Sequence, residues 1–206
     1  MKKLLLFSCM FLMISTVALA DGLPVTVDLA FQGVDPGYYT YNGWPIGYHV
    51  VEITNSPGGM YDGVYNGFCV DPADASDSPQ PYTLIYVPEN LYGAAWVFDN
   101  FEGLGQSPSN AQIAIWNLAI GGLPPITGPE QSSIEALIAN ANTAVGEGYT
   151  PPDSILLAYS PPLGSGVDSF DVPYQDFLVR VPEPGSILLL GLGLLGVGTI
   201  SRLKKR

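Results

Sequence analysis

Cys69 is the nucleophile whose setting stands out. It lies in Gly67-Phe68-Cys69-Val70-Asp71, and downstream comes Ala111-Gln112-Ile113-Ala114-Ile115-Trp116, with Gln112 43 positions after Cys69. The other cysteine, Cys9, falls in an apolar N-terminal stretch expected to be removed on export, which leaves Cys69 without a partner in its own chain. Such a thiol is a buried inert group, half of an intermolecular disulfide, or a reactive group. A cysteine hydrolase would have to pair it with His49, the single histidine, and no third group is marked in the sequence to orient that ring. His49 therefore reads as a structural or exposed strand residue. Asp71, Asp74 and Asp77 invite a calcium reading, but the stretch lacks the glycine and terminal glutamate of a calcium loop, so a solvated loop is expected and no metal.

The two stretches together resemble the paired signatures of the bacterial surface thioester domains, an aromatic-Cys-aliphatic-Asp segment and a Gln-x-Ala-Ile-Trp segment. In that family the cysteine sulfur and the glutamine side-chain carbonyl are covalently joined. The resemblance implies a Cys69–Gln112 thioester, with Phe68, Asp71 and Trp116 as its surroundings. It further implies an adhesion protein that captures an amine once and keeps it, not an enzyme, and one needing no cofactor. The partner implied is an amine-bearing target, such as a protein lysine or a polyamine, or else an exopolysaccharide matrix. The sequence departs from the family at Ala111, where a hydroxyl residue is common. The competing reading is a non-covalent structural or matrix protein in which Cys69 is inert.

Closing such a bond requires sulfur to attack an amide carbonyl and expel ammonia. Rigid placement of the two groups supplies an effective molarity of roughly 10⁵ M or more. Burial opposes ionisation of the thiol, so a donor or dipole must help. Gln112 near a helix start suggests free helix N–H groups as the oxyanion donors. Phe68, Trp96 and Trp116 are available as an apolar screen, Trp96 being assigned mainly to packing.

The elements that carry these residues follow from periodicity. Val25–Phe31, His49–Thr54, Tyr61–Val70 and Tyr82–Val87 alternate as strands, and Gly33–Pro45 is rich in turn residues. Helical spacing sets in at Leu91, Ala94, Ala95, Phe98 and Phe101. Ser107-Pro108 then opens a second helix, whose core face is expected at Ile113, Trp116 and Ile120 with Gln112 at the edge. A third helix runs from Pro129 to Val145, burying Ile134, Leu137, Ile138 and Ala141 and stopped by Gly146. Ser154–Tyr159 and Asp176–Val181 close the order as strands. This predicts an α+β domain, an antiparallel sheet or barrel-like core with a helical insert of about three helices, the sheet carrying Cys69 and the insert Gln112.

Charge narrows the function classes. The 206-residue chain has a net charge of −12. Residues 21–181 hold 18 acidic residues against the single Arg180, a formal −17, and no lysine. Nucleic-acid binding is excluded on this ground, since phosphate contacts need Lys and Arg. A lysine-free domain also offers no side-chain amine of its own to an acyl-sulfur bond.

Both termini read as targeting segments. Residues 1–20 show Lys2-Lys3, an apolar run and Ala18-Leu19-Ala20, the order of a secretory signal peptide. Residues 21–181 then form the candidate thioester domain. Residues 182–206 comprise Pro182-Glu183-Pro184, an uncharged run over 186–200 and a basic end. That tail resembles the PEP-CTERM sorting signal of Gram-negative bacteria. It implies transient membrane anchoring through 186–200, processing by an exosortase, and delivery to the cell surface or extracellular matrix.

Overall fold

Alternation of β-branched and polar residues is strongest in His49–Thr54, and its burial alternates without a break. That strand lies inside a closed six-stranded antiparallel barrel in a computed structural model, which describes residues 22–34, 39–41, 44–71, 76–121, 130–160 and 174–182. The strands are β1 (Val25–Val34), β4 (His49–Thr54), β5 (Gly63–Cys69), β6 (Gln80–Tyr86), β7 (Ile155–Tyr159) and β8 (Phe177–Arg180), ordered β1-β4-β5-β8-β7-β6 around the barrel. A separate hairpin pairs β2 (Tyr39–Tyr41) with β3 (Trp44–Ile46), within the stretch expected to be turns. The expected α+β class with a barrel-like core and three helices is what the chain adopts. The compact unit holding these elements runs from Pro24 to Val181.

Strand register sorts the side chains into two faces. Direct cross-strand partners share a face, and successive residues alternate. His49 opposite Gly67, Gly67 opposite Val179 and Cys69 opposite Phe177 therefore lie on one face, with Val51, Ile53, Leu29, Tyr82, Leu84, Leu156 and Ala158. This is the barrel interior, and all of these except the glycine are buried apolar or polar core. Phe68, Leu178 and Arg180 belong to the outer face.

The helices are α1 (Tyr92–Asn100), α2 (Pro108–Ile120) and α3 (Gln131–Gly146). Phe68 meets Phe98 and Phe101 edge-on at 5.4 Å each, while Tyr48 stacks on Phe68 at 5.0 Å. Arg180 lies 5.2 Å over the Phe98 ring and bonds Asp99 at 2.7 Å. The outer face of β5 and β8 is thus closed by α1.

Four details of the helices differ from expectation. Gln112, expected at the edge of α2's apolar stripe, is fully buried, and Ile138, expected on the buried face of α3, is half-buried. Ile120 is 45 % exposed, because α2 buries every residue from Ser109 to Trp116 and presents no narrow stripe. Gly146 is the last turn of α3 rather than its stop. Gly148, at φ 93°, ends the helix, with Tyr149 N–H donating to Ala144 O and Gly148 N–H to Val145 O. Among the described residues no helix is long and apolar enough to cross a membrane. The signal peptide expected over 1–20 and the apolar run of 186–200 lie outside the described residues.

Candidate functional site

Helix α2 starts where the sequence marks it. Ser107 caps it by accepting from the Asn110 N–H at 3.2 Å, and Pro108 fills the first position. Ser109 Oγ donates to Ile46 O at 3.2 Å, and Asn110 Nδ2 donates to Glu130 Oε2 at 2.8 Å. The helix start is thereby tied to β3 on one side and to the start of α3 on the other. Gln112, in the second turn, is held against the end of β5.

At that point β5 has an unmatched edge. β4 begins at His49, opposite Gly67, so the backbone of Cys69 points past the end of β4. Its other neighbour, β8, bonds Val70 instead, through Val70 N–H to Asp176 O. The Gln112 carboxamide fills the gap. Cys69 N–H donates to Gln112 Oε1 at 3.2 Å, and Gln112 Nε2 donates to Cys69 O at 2.7 Å. The carboxamide acts as a one-residue strand, satisfying two backbone groups that would otherwise be buried unpaired. Both residues are fully buried.

The donor to the Gln112 carbonyl oxygen is therefore the Cys69 backbone N–H, not the helix N–H groups that the sequence suggested. Those of Asn110 and Ala111 are already taken by Ser107. An oxygen accepting a fixed backbone N–H is arranged to stabilise negative charge if its carbonyl carbon is attacked.

His49 is the residue that sequence reasoning weighed as a partner of Cys69 and set aside as structural or exposed. It is buried, and its Nε2 lies 3.7 Å from Cys69 Sγ. The ring sits between Phe31 and Phe177, at 5.6 and 5.9 Å. Its Nδ1 lies 3.2 Å from Gly47 O. A carbonyl only accepts, so Nδ1 carries the proton and Nε2 presents its lone pair to the thiol. Burial lowers the imidazole to about 4, against the smaller opposing effect of the Gly47 carbonyl, so the ring is neutral near pH 7. The available signal was that the chain's one histidine falls in phase with Val51 and Ile53, the apolar residues of β4's inward face.

Burial also pushes the Cys69 thiol well above its ordinary range, and the charge on Asp71 adds to this. The Trp116 indole works against both. Its N–H makes no well-formed hydrogen bond in the resting arrangement, yet it lies close enough to the sulfur to favour the thiolate.

The other residues singled out in the sequence fall elsewhere. Phe68 faces α1, on the opposite side of β5 from the sulfur. Trp96 is half-buried on α1. Asp71 staples the strand ends: its Oδ2 accepts the Asp176 N–H at 3.1 Å and its carbonyl accepts Gln175 Nε2 at 2.7 Å. Asp176 in turn accepts the Ser160 N–H at 2.6 Å, and burial raises its carboxyl to about 7. Asp74 lies outside the described residues, and among those described no group of three or more His, Cys, Asp or Glu is placed to hold a metal. Pro182 directly follows the buried Val181, while Glu183 and Pro184 lie outside the described residues.

Comparison with known proteins bears on the tail alone. No curated protein and no solved structure matches the chain. Residues 180–205 match the family model of the PEP-CTERM protein-sorting motif, so the chain carries the sorting signal of a protein exported to the Gram-negative cell envelope or surface and processed by exosortase.

Proposed function

We propose that Cys69 and Gln112 close a thioester in the folded protein, and that the exported domain uses it to fix an amine at the cell surface. The observation that carries this reading is the reciprocal pair of hydrogen bonds between the Gln112 carboxamide and the Cys69 backbone. They seat the carboxamide against the backbone of the residue that bears the sulfur, with the oxygen already on a donor, which supports attack at its carbon. Sulfur attacks that carbon, the oxygen takes up charge against the Cys69 N–H, and Nε2 departs as ammonia. Full burial keeps water from the product.

An incoming amine then attacks the same carbon and expels the thiol, leaving its nitrogen joined to Gln112. The event is single-use and makes the protein an adhesin rather than an enzyme. With no lysine between residues 21 and 181, the domain cannot consume its own bond through a side-chain amine. Its excess of carboxylates draws cationic amines such as lysine side chains or polyamines, an attraction that salt screens. The matrix exopolysaccharide is the second class of partner for this surface location.

One observation favours a different reading. A carboxamide that completes a sheet edge has a structural reason to be there, and Cys69 is then an inert core thiol in a non-covalent matrix protein. Intact mass of the exported protein separates the two. The thioester makes the chain lighter by one ammonia, and methylamine adds its full mass and frees the thiol. Cys69→Ala abolishes both signatures. Wild-type protein of full mass, never exposed to amines, overturns the proposal.

A further inference from the structure

We propose that His49 Nε2 is the base that takes the Cys69 thiol proton as sulfur attacks Gln112, and the acid that delivers this proton to the departing nitrogen. The inference rests on the thioester reading and adds a catalytic residue to it. Three features of the site require such a group. Neither Cys69 nor Gln112 reaches water, so solvent cannot carry the proton away. The nitrogen must leave as NH₃, and the –NH₂ of Gln112 lacks one proton for that. The amount released by the thiol equals the amount needed by the leaving group, so one shuttle within the pocket balances the step.

His49 is placed and prepared for it. Its Nε2 is 3.7 Å from Sγ, and the contact between Nδ1 and Gly47 O fixes the tautomer that leaves this lone pair free. Burial disfavours both thiolate and imidazolium, so no ion pair stands preformed in the resting site. The proton therefore moves as the S–C bond forms. The Sγ–H and C–N bonds break, the S–C and N–H bonds form, and the imidazole ends as it began. When an amine opens the bond, the same nitrogen takes a proton from it and returns one to sulfur.

A purely structural role fits the surroundings poorly. Phe31 and Phe177 flank the ring, and a phenylalanine there would avoid burying a polar nitrogen whose partner is a weak thiol donor. That contrast supplies the test. Full-length chain, wild type and with His49→Phe or His49→Gln, is synthesised in vitro, folding is checked by circular dichroism, and the loss of one ammonia is followed by intact mass.

The wild type is expected to close as it folds. The folded variants are expected to close roughly 10²- to 10⁴-fold more slowly, with methylamine opening slowed alike. A folded variant that closes at the wild-type rate overturns the role of His49 and leaves the thioester standing. A wild type that never loses ammonia overturns the thioester itself. Should neither variant fold, opening of the wild-type bond by methylamine is compared in light and heavy water. Slowing in heavy water supports proton transfer in the step, and equal rates overturn it.

Discussion

Phe68 and Cys69 are neighbours in sequence and stand on opposite sides of one strand. Outward, Phe68 enters an aromatic cluster with Tyr48, Phe98 and Phe101, bordered by the exposed pair of Arg180 and Asp99. Inward, Cys69 meets His49 and is clasped by Gln112 at the barrel's end. The preceding pair behaves alike, Tyr48 packing outward and His49 inward. Phe68 is held outside by apolar area alone, whereas Cys69 inside adds a few directed polar contacts to an otherwise apolar barrel core. Residues adjacent in a motif need not serve the same purpose, because a strand sends alternate side chains to different surroundings.

The largest expected effect separates the two faces outright. Phe68→Ala empties a fully buried ring site and should cost about 3–5 kcal/mol in denaturant unfolding. The molecules that remain folded should keep the Cys69–Gln112 arrangement and the same mass as wild type after correction for the substitution. A changed ammonia deficit in that folded fraction would join the faces that the register sets apart.

Next comes Gln112→Ala, which leaves the Cys69 N–H and C=O buried without partners. Measured against Cys69→Ala, whose carboxamide stays intact, it should lose about 1–3 kcal/mol per unsatisfied group, less whatever water can restore. Cys69→Ala keeps both of those hydrogen bonds and should be the milder change. If the two variants melt together, the carboxamide is not closing the sheet edge.

The pH dependence sharpens the comparison further. His49 has a folded value of about 4 against an ordinary 6.5, so its contribution is present above 6.5 and is lost as pH falls toward 4. Asp176 has a folded value of about 7 against 3.8, so its contribution is present below 3.8 and is lost as pH rises toward 7. The two slopes oppose each other over the same interval. Relative to wild type, His49→Phe should make stability fall more steeply as pH rises from about 4 to 6.5. Asp176→Asn, which retains an acceptor for the Ser160 N–H, should make it rise. Parallel pH profiles for wild type and both variants would contradict these assignments.

The smallest effect belongs to the outer rim. Asp99→Asn weakens an ion pair whose side chains are 47 % and 31 % exposed, and should cost at most about 1 kcal/mol, less in high salt. A larger loss would mean that the rim of the outer face depends on a directed polar contact as the inner site does.

Much of this was legible before folding. The strand alternation of Val25–Phe31 and His49–Thr54, the Ser107-Pro108 helix start and the strand-helix-strand order are local signals, and each appears where its residues placed it. The face of α2 was not legible. Its apolar residues run almost without interruption from Ala111 to Ile115, so periodicity could not say that Gln112 lies at the buried centre and Ile120 outside. The role of His49 was equally hidden, since its phase in β4 marks an inward position but nothing near it in sequence says that Cys69 lies beside it.

By itself the sequence determined the class of fold, the residues with chemistry to offer and the export signal at the tail, because composition, period and short motifs are properties of neighbouring residues. Tertiary structure alone decided which of those residues meet. The contact of Cys69 with Gln112 spans 43 positions and that with His49 spans 20, set by the register of β4 on β5 and the docking of α2. A ladder that ends at Gly67 leaves two backbone groups of Cys69 to be satisfied; the Gln112 carboxamide satisfies them, and the same register sets His49 beside the thiol.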